Sequence, residues 1–362
     1  MYIEERSAQR RMDSRERRRA KERDESMKNG IAVAGHICVD VVKEIANFPQ
    51  AHGMAEILST QLTLGGVVNN CGRSLARLDP ALPVRMCALI GEDGYGDELL
   101  KRLKKYPNLD TSRILRSGQT AFTDVLSNIH TRERAFLPFT GAAARFCEEH
   151  VDVEHLDCAI FHIGYILLMD ALDAPDEEYG THMARLLHAV QERGILTSVD
   201  TVTRDTDRYK QLMPAALRYA DFVCLNEHEA ASTTDIPLRN AQDQLILENM
   251  PRALAALKAM GVRRWVAVHA PEGGFGLDEN GEYHAIPGAV VETSFIGGTV
   301  GAGDAFAAGL LLGAYRERPM DEALEYAIAA SVSSLRDADA SEGVLPLEEG
   351  LELIRSLPRR KF

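Results

Sequence analysis

The sequence predicts an α/β fold: a doubly wound, mostly parallel sheet with helices on both faces, plus a small β-sheet lid. Three observations carry this prediction. From residue 30 onward, short apolar runs alternate with longer helical patterns. Those runs are apolar at nearly every position, as strands covered on both faces must be. Two further stretches lack helical spacing and alternate apolar with polar residues, as strands with one open face do.

In chain order, "IAVAGHICVDVV" at 31–42 reads as the first strand, with Asp40 at or just beyond its apolar part. "MAEILSTQLTL" at 54–64 is the first alternating stretch. "NNCGRSLARL" reads as a helix, "VRMCALIG" as a strand and "GDELLKRLKKY" as a helix. "TAFTDVLSNIHTRERAFLP" at 120–138 is the second alternating stretch. Then follow the strand "CAIFHIGYILL", the amphipathic helix "EEYGTHMARLLHAVQERG" and the strands "ILTSVD" and "DFVCLN". A helix near "NMPRALAALKAMG", the strand "RRWVAVHA" and a late small-residue helix, "AFAAGLLLG", complete the series. The alternating stretches are read as antiparallel strands of a lid over the strand ends, with lid segments at about 44–64 and 117–140 of a domain spanning 29–362. The lid is also the expected surface for a homodimer.

The 362 residues are 45% apolar and carry a formal net charge of −13, which disfavours general attraction to nucleic acid and points to a small-molecule ligand held by a local site. The six cysteines are scattered without a C-x-x-C pair and read as reduced thiols of a cytoplasmic protein. Residues 1–28 are charged almost throughout, lack the apolar core of a signal peptide and read as a flexible tail. No run is long enough to cross a membrane.

No G-x-x-x-x-G-K-[ST] is present, and no G-x-G-x-x-G opens a helix after the first strand. What remains is "GGTVGAGDAFAAGLLLG" at 297–313. Small residues let a ligand approach the backbone, and the free amides of a helix start attract an anion. Asp304 sits at that point. It is either a helix cap or a base that accepts a hydroxyl proton.

"TVGAGDAFAAGLL" resembles the C-terminal signature of the ribokinase-like, or PfkB, family of carbohydrate and nucleoside kinases. "GHICVD" resembles the family's first strand, "GGVVNN" its N-terminal Gly-Gly element, "GEDGYGD" its glycine turn and "NEHE" its Asn-x-x-Glu motif. The five elements fall in the family's order between residue 31 and about 345.

The resemblance implies a ribokinase-like fold and an ATP- and Mg²⁺-dependent kinase acting on a primary hydroxyl of a sugar or sugar derivative. It implies Asp304 as base, with Gly301, Ala302 and Gly303 forming the anion hole, and Asp40, Gly65, Gly66 and Asn70 as substrate contacts. Asn226, Gly274 and Thr299 would bind the nucleotide, and Glu229 would hold Mg²⁺ through water. A nucleoside kinase, with Phe122 and Phe136 of the lid sandwiching a base, is the alternative within the family; a non-catalytic sugar sensor is the alternative outside it.

Several positions depart from the family pattern. Gly298 stands where an acid helps some members hold a monovalent cation, so dependence on potassium is not implied. Val68 and Gly72 alter the substrate loop. His269 and Pro271 replace a common Thr and Gly in the nucleotide strand, and His269 is read as a packed strand residue.

Overall fold

Residues Ile31–Gly35 form the first strand, β1, and all five are buried. Ile31 and Val33 face one apolar core, Ala32 and Ala34 another. With a core on each side, no position of the strand is left for a polar side chain. The computed structural model describes residues 29–131 and 133–362; the charged segment 1–28, expected as a flexible tail, lies outside the described residues.

The remaining strands are β2 (Cys38–Ile45), β3 (Ile57–Gly65), β4 (Val84–Ile90), β5 (Leu109–Arg116), β6 (Phe122–Asn128), β7 (Arg134–Phe139) and β8 (Ile160–Ile166). They continue with β9 (Pro175–Asp176), β10 (Gly180–Thr181), β11 (Leu196–Thr201), β12 (Phe222–Asn226), β13 (Trp265–Ala270), β14 (Gly273–Leu277) and β15 (Tyr283–Pro287). The helices are α1 (Val67–Leu78), α2 (Gly94–Leu103), α3 (Asp170–Asp173), α4 (His182–Glu192) and α5 (Tyr209–Leu217). After them come α6 (Glu227–Thr234), α7 (Met250–Ala259), α8 (Ala302–Tyr315), α9 (Met320–Ser334) and α10 (Leu347–Ser356).

The large sheet runs β15-β14-β13-β12-β11-β8-β1-β4-β5, parallel from β13 to β5 with β14 and β15 antiparallel at one edge. Helices α1, α8, α9 and α10 pack in the core that holds Ile31; α4, α5 and α7 pack in the core that holds Ala32. The chain leaves β1 toward β4 and β5, then returns to place β8 on the other side. Ligands collect in the crevice that such a reversal opens at the carboxyl ends of the strands.

Helix α4 illustrates how local sequence sets the boundaries. Its buried residues Met183, Leu186, Leu187 and Val190 form one helical stripe, and Thr181 caps it by accepting the Ala184 N–H. The helical pattern expected from Glu177 begins later than the sequence suggested. Asp176 Oδ1 accepts the N–H groups of Glu178 and Tyr179, and this tight turn joins β9 to β10.

The lid is a four-stranded sheet, β3-β2-β6-β7. It includes more than the expected segments. "IAVAGHICVDVV" is two strands, because Gly35 at φ +119° redirects the chain and β2 joins the lid at Cys38. Asp40 therefore sits within the lid and not at the end of β1. The two inner strands, β2 and β6, are parallel, whereas the outer pairs are antiparallel as expected. "GEDGYGD" forms the lid's foot: Asp93 caps α2 through the Gly96 N–H and also accepts the Thr120 N–H and hydroxyl. Among the described residues, no helix is long and apolar enough to cross a membrane.

Candidate active site

Two cavities meet at Asn226, His269, Thr299 and Gly303. The larger, about 470 Å³, is walled mainly by apolar groups such as Val291, Phe306, Ile328 and Leu335. The smaller, about 310 Å³, contains Tyr165, Asp200, Thr203, Glu229 and Asp304, with no Lys or Arg in its lining. Between them stands the start of α8.

That start is built by close approach. Gly301 has φ +79°, and a Cβ there would lie 2.5 Å from the Ala340 Cβ, so only glycine fits. Gly303 passes the His269 ring so closely that a Cβ would sit 3.1 Å from Nε2. The Ala302 N–H turns to the Thr299 carbonyl at 3.4 Å, whereas the Ala305 N–H already donates in helical fashion to the Gly301 carbonyl at 2.8 Å. The amides of Gly303 and Asp304 belong to the turn that has no earlier helical carbonyl, a position from which backbone donors can serve an anion.

Asp304 is 8% exposed and does not cap the helix, whose N-cap is Gly301. Its Oδ2 accepts two hydrogen bonds, from Asn70 Nδ2 and from the Tyr165 hydroxyl, each at 2.9 Å. Both donors converge on one oxygen and leave Oδ1 to the cavity. Burial, reinforced by the charge of Asp200, pushes the carboxyl up to about 7 against the pull of Asn70, Tyr165 and His162. Such a group is a fit acceptor for a hydroxyl proton near neutral pH.

The expected acceptor-side residues gather nearby. Asn70 lies in the first turn of α1 and touches Asp304 directly. Asp40 pairs in register with Thr63 and Thr123, and burial raises its carboxyl while Thr123 and Cys38 pull it back. Gly65 leaves room for it: a Cβ there would meet Asp40 Oδ2 at 2.5 Å. Gly66, at φ +84°, turns the chain into α1 against the His36 carbonyl. The Cys38 thiol lies 3.8 Å from Asp40 Oδ1; burial, with the charges of Asp40 and Asp304, raises it well above its ordinary value.

Asn226 ends β12 and caps α6, its Oδ1 accepting the Glu229 N–H at 2.8 Å while Glu229 Oε2 accepts the Asn226 N–H at 3.0 Å. Thr203 accepts from Asn226 Nδ2 and donates to Glu229 Oε1. Burial pushes Glu229 up to about 8 despite these donors. Carboxylate, amide and hydroxyl oxygens in a cavity lined by no cationic side chain suit a hard divalent cation that keeps its waters.

Thr299 lines both cavities, but Gly274 lines neither; its neighbour Gly273 does, and Gly274 makes room for the Phe306 ring, 2.9 Å from where its Cβ would be. His269 both packs on Phe306, with ring centroids 5.0 Å apart, and faces both cavities, and burial lowers its pKa to about 4. Of the two lid aromatics, Phe136 pairs with Val125 on the face that carries Asp40 and Thr123, and is 60% exposed. Phe122 points to the opposite face, against Tyr95 and Phe139.

Sequence reasoning missed Tyr165, Asp200 and Thr203. An acid closing the strand run "ILTSVD" was a usable signal, since strand ends border the crevice. Nothing in the spacing of "FHIGYILL" marks Tyr165.

Comparison with known proteins adds the family. A model of the pfkB family of carbohydrate kinases matches residues 28–346. An ATP-dependent ribose-1-phosphate kinase of Halopiger xanaduensis is 27% identical over 82% of this chain and 88% of its own length. A ribokinase of Schizosaccharomyces pombe is 25% identical over 88% of this chain and 96% of its own. The fold also matches Arabidopsis thaliana ribokinase complexed with ribose and ATP, with a TM-score of 0.75 and 18% identity, covering 91% of this chain and 99% of that one.

Proposed function

The chain belongs to the pfkB family of carbohydrate kinases, and on that premise we propose that it transfers the γ-phosphoryl group of ATP to a primary hydroxyl of a sugar or sugar derivative. The observation that carries this reading is Asp304: a buried carboxylate with one free oxygen, placed at a helix start where an apolar cavity and a polar one meet.

The apolar cavity suits a nucleoside, with Phe306 and Val291 among its walls. Its phosphates would extend past Thr299 into the acidic cavity. Mg²⁺, when bound, neutralises phosphate charge there, and Glu229, with Asn226 and Thr203, offers the oxygens to hold its water shell. Asp40 and Asn70 orient the acceptor through its hydroxyls. Asp304 Oδ1 takes the proton as the acceptor oxygen attacks, and the Gly303 and Asp304 amides stabilise the oxygens of the moving phosphoryl group. The lid, footed on Asp93, covers the acceptor and excludes water.

The names of the two relatives direct the acceptor toward ribose or a ribose phosphate. Phe122 faces away from the acceptor side, so the lid does not present the aromatic pair that a nucleoside sandwich needs, which favours a sugar. Exposed Ile57, Leu58, Phe136 and Leu137 on the lid support the expected homodimer, and light scattering reads its mass.

An ADP-release assay with Mg²⁺ across pentoses, pentose phosphates, sugar acids and nucleosides tests the reading. Turnover with a sugar or sugar derivative, and its phosphate ester in the product, is expected. Preferred turnover of nucleosides, or binding without turnover across the panel, overturns it.

A further inference from the structure

Opposite β11, strand β8 carries one residue too many. Ile163 pairs with Val199 and Ile166 with Thr201, so Gly164 and Tyr165 together face the single residue Asp200. A bulge of this kind bends the strand and re-aims a side chain. Here the bulged residue, Tyr165, has φ +66°, a conformation that a bulky side chain adopts only when its surroundings hold it there.

Three contacts do the holding. The Tyr165 N–H donates to Asp200 Oδ1 at 2.7 Å. Gly164 lets that carboxylate in, since a Cβ at 164 would lie 2.3 Å from the same oxygen. The phenol ring stacks on His36, with centroids 5.9 Å apart. The result of the distorted backbone is a hydroxyl delivered 2.9 Å from Asp304 Oδ2. Asp200 is held in turn: its Oδ2 lies 3.2 Å from His162 Nε2, a close contact outside hydrogen-bond alignment, and His162 Nδ1 meets the Ser198 hydroxyl at 3.0 Å.

We propose that Tyr165 is a positioning residue for the phosphoryl-transfer base: its phenol, aimed by the β8 bulge and the Asp200 clamp, fixes Asp304 Oδ2 so that Oδ1 alone meets the acceptor hydroxyl. The inference rests on the assignment of Asp304 as base. Asn70 supplies the second donor from α1, so the carboxylate is gripped from two elements at once, and its plane is set before substrate arrives. Loss of the phenol leaves one donor, and the carboxyl can rotate about its own axis and offer either oxygen.

Tyr165→Phe keeps the ring and its stacking but removes the hydroxyl. The expected result is a fall in kcat on the order of 10- to 100-fold with the KM for ATP nearly unchanged. The acid limb of the kcat/KM profile moves to higher pH by about one unit, because a donor that favours the ionised carboxylate has gone. The other titratable groups around Asp304 are Asp200, His162, Glu229, Cys38, Cys71 and Cys224, and none of them changes.

Site-specific 3-fluorotyrosine at 165 provides the converse test, since its more acidic hydroxyl donates more strongly and moves the limb to lower pH. It also serves if the Phe variant does not fold. A Tyr165→Phe enzyme with wild-type kcat, or an acid limb unmoved by fluorotyrosine, overturns the role of Tyr165. Asp304→Asn, measured alongside, separates the two ideas: if it is inactive while Tyr165→Phe is unaffected, the base assignment stands and only this inference fails. If Asp304→Asn turns over normally, the base assignment itself is wrong.

Discussion

Gly301→Ala probes how rigidly the helix start proposed to face the phosphate is held. The new Cβ would lie 2.5 Å from the Ala340 Cβ and 2.7 Å from its carbonyl oxygen, so the two segments must part by roughly 1 Å to regain ordinary contact. The Ala340 loop resists, because Arg73, only 4% exposed, grips Asp339 at 3.1 Å and also pairs with Glu342. The displacement therefore falls on Gly301–Asp304. An alanine in this left-handed conformation costs about 1–2 kcal/mol, and the overpacking about 1–3 more. Denaturant unfolding should thus show a loss of about 2–5 kcal/mol. ADP release should show kcat down about 100-fold, the effect of moving catalytic donors by 1 Å. Gly94→Ala is the control: at the first position of α2 its Cβ meets nothing within 4 Å, and both measurements should stay near wild type. A Gly301→Ala enzyme with wild-type kcat would refute the claim that this helix start handles the phosphoryl group.

Two other outcomes follow from buried charge. The folded pKa of Asp304, about 7, lies above its ordinary 3.8, so its ionised form costs stability above pH 7 and that cost vanishes as pH falls toward 4. Asp304→Asn, without ligands, should therefore melt higher than wild type at pH 8 and equal to it near pH 4; equal melting at pH 8 would contradict the burial argument. Arg73→Ala leaves Asp339 without its cation, while Glu342 keeps Arg77, and should lower stability by about 1.5–3 kcal/mol, read by denaturant unfolding; a loss below about 1 kcal/mol would show that the loop is held by packing alone.

The main sheet was legible because its strands are covered on both faces and show it as unbroken apolar runs. The lid was legible as alternation, yet its membership was not: a single glycine, Gly35, decides that the chain after β1 leaves the sheet, and nothing in the apolar pattern of "GHICVD" changes at that point. Which lid aromatic shares a face with Asp40 was equally hidden. Phe122 and Phe136 differ only in strand parity, and parity follows from register with β2. Asp304, Asn70, Asn226 and Glu229 could be nominated from sequence because their motifs fall at element starts, and the structure puts them at the starts of α8, α1 and α6. Tyr165 escaped because a bulge aims it, and a bulge leaves no spacing to read; Asp200, which closes the run "ILTSVD", was within reach of the strand-end rule.

The most direct test of the account is single-turnover transfer from saturating ATP by Asp304→Asn, followed by rapid quench with the acceptor that the substrate panel identifies. The asparagine keeps the shape and can still receive the hydrogen bonds of Asn70 and Tyr165, but it cannot take a proton. A rate lower by about 10²–10⁴-fold, with ATP affinity retained, is the predicted result. Transfer within tenfold of wild type would contradict it.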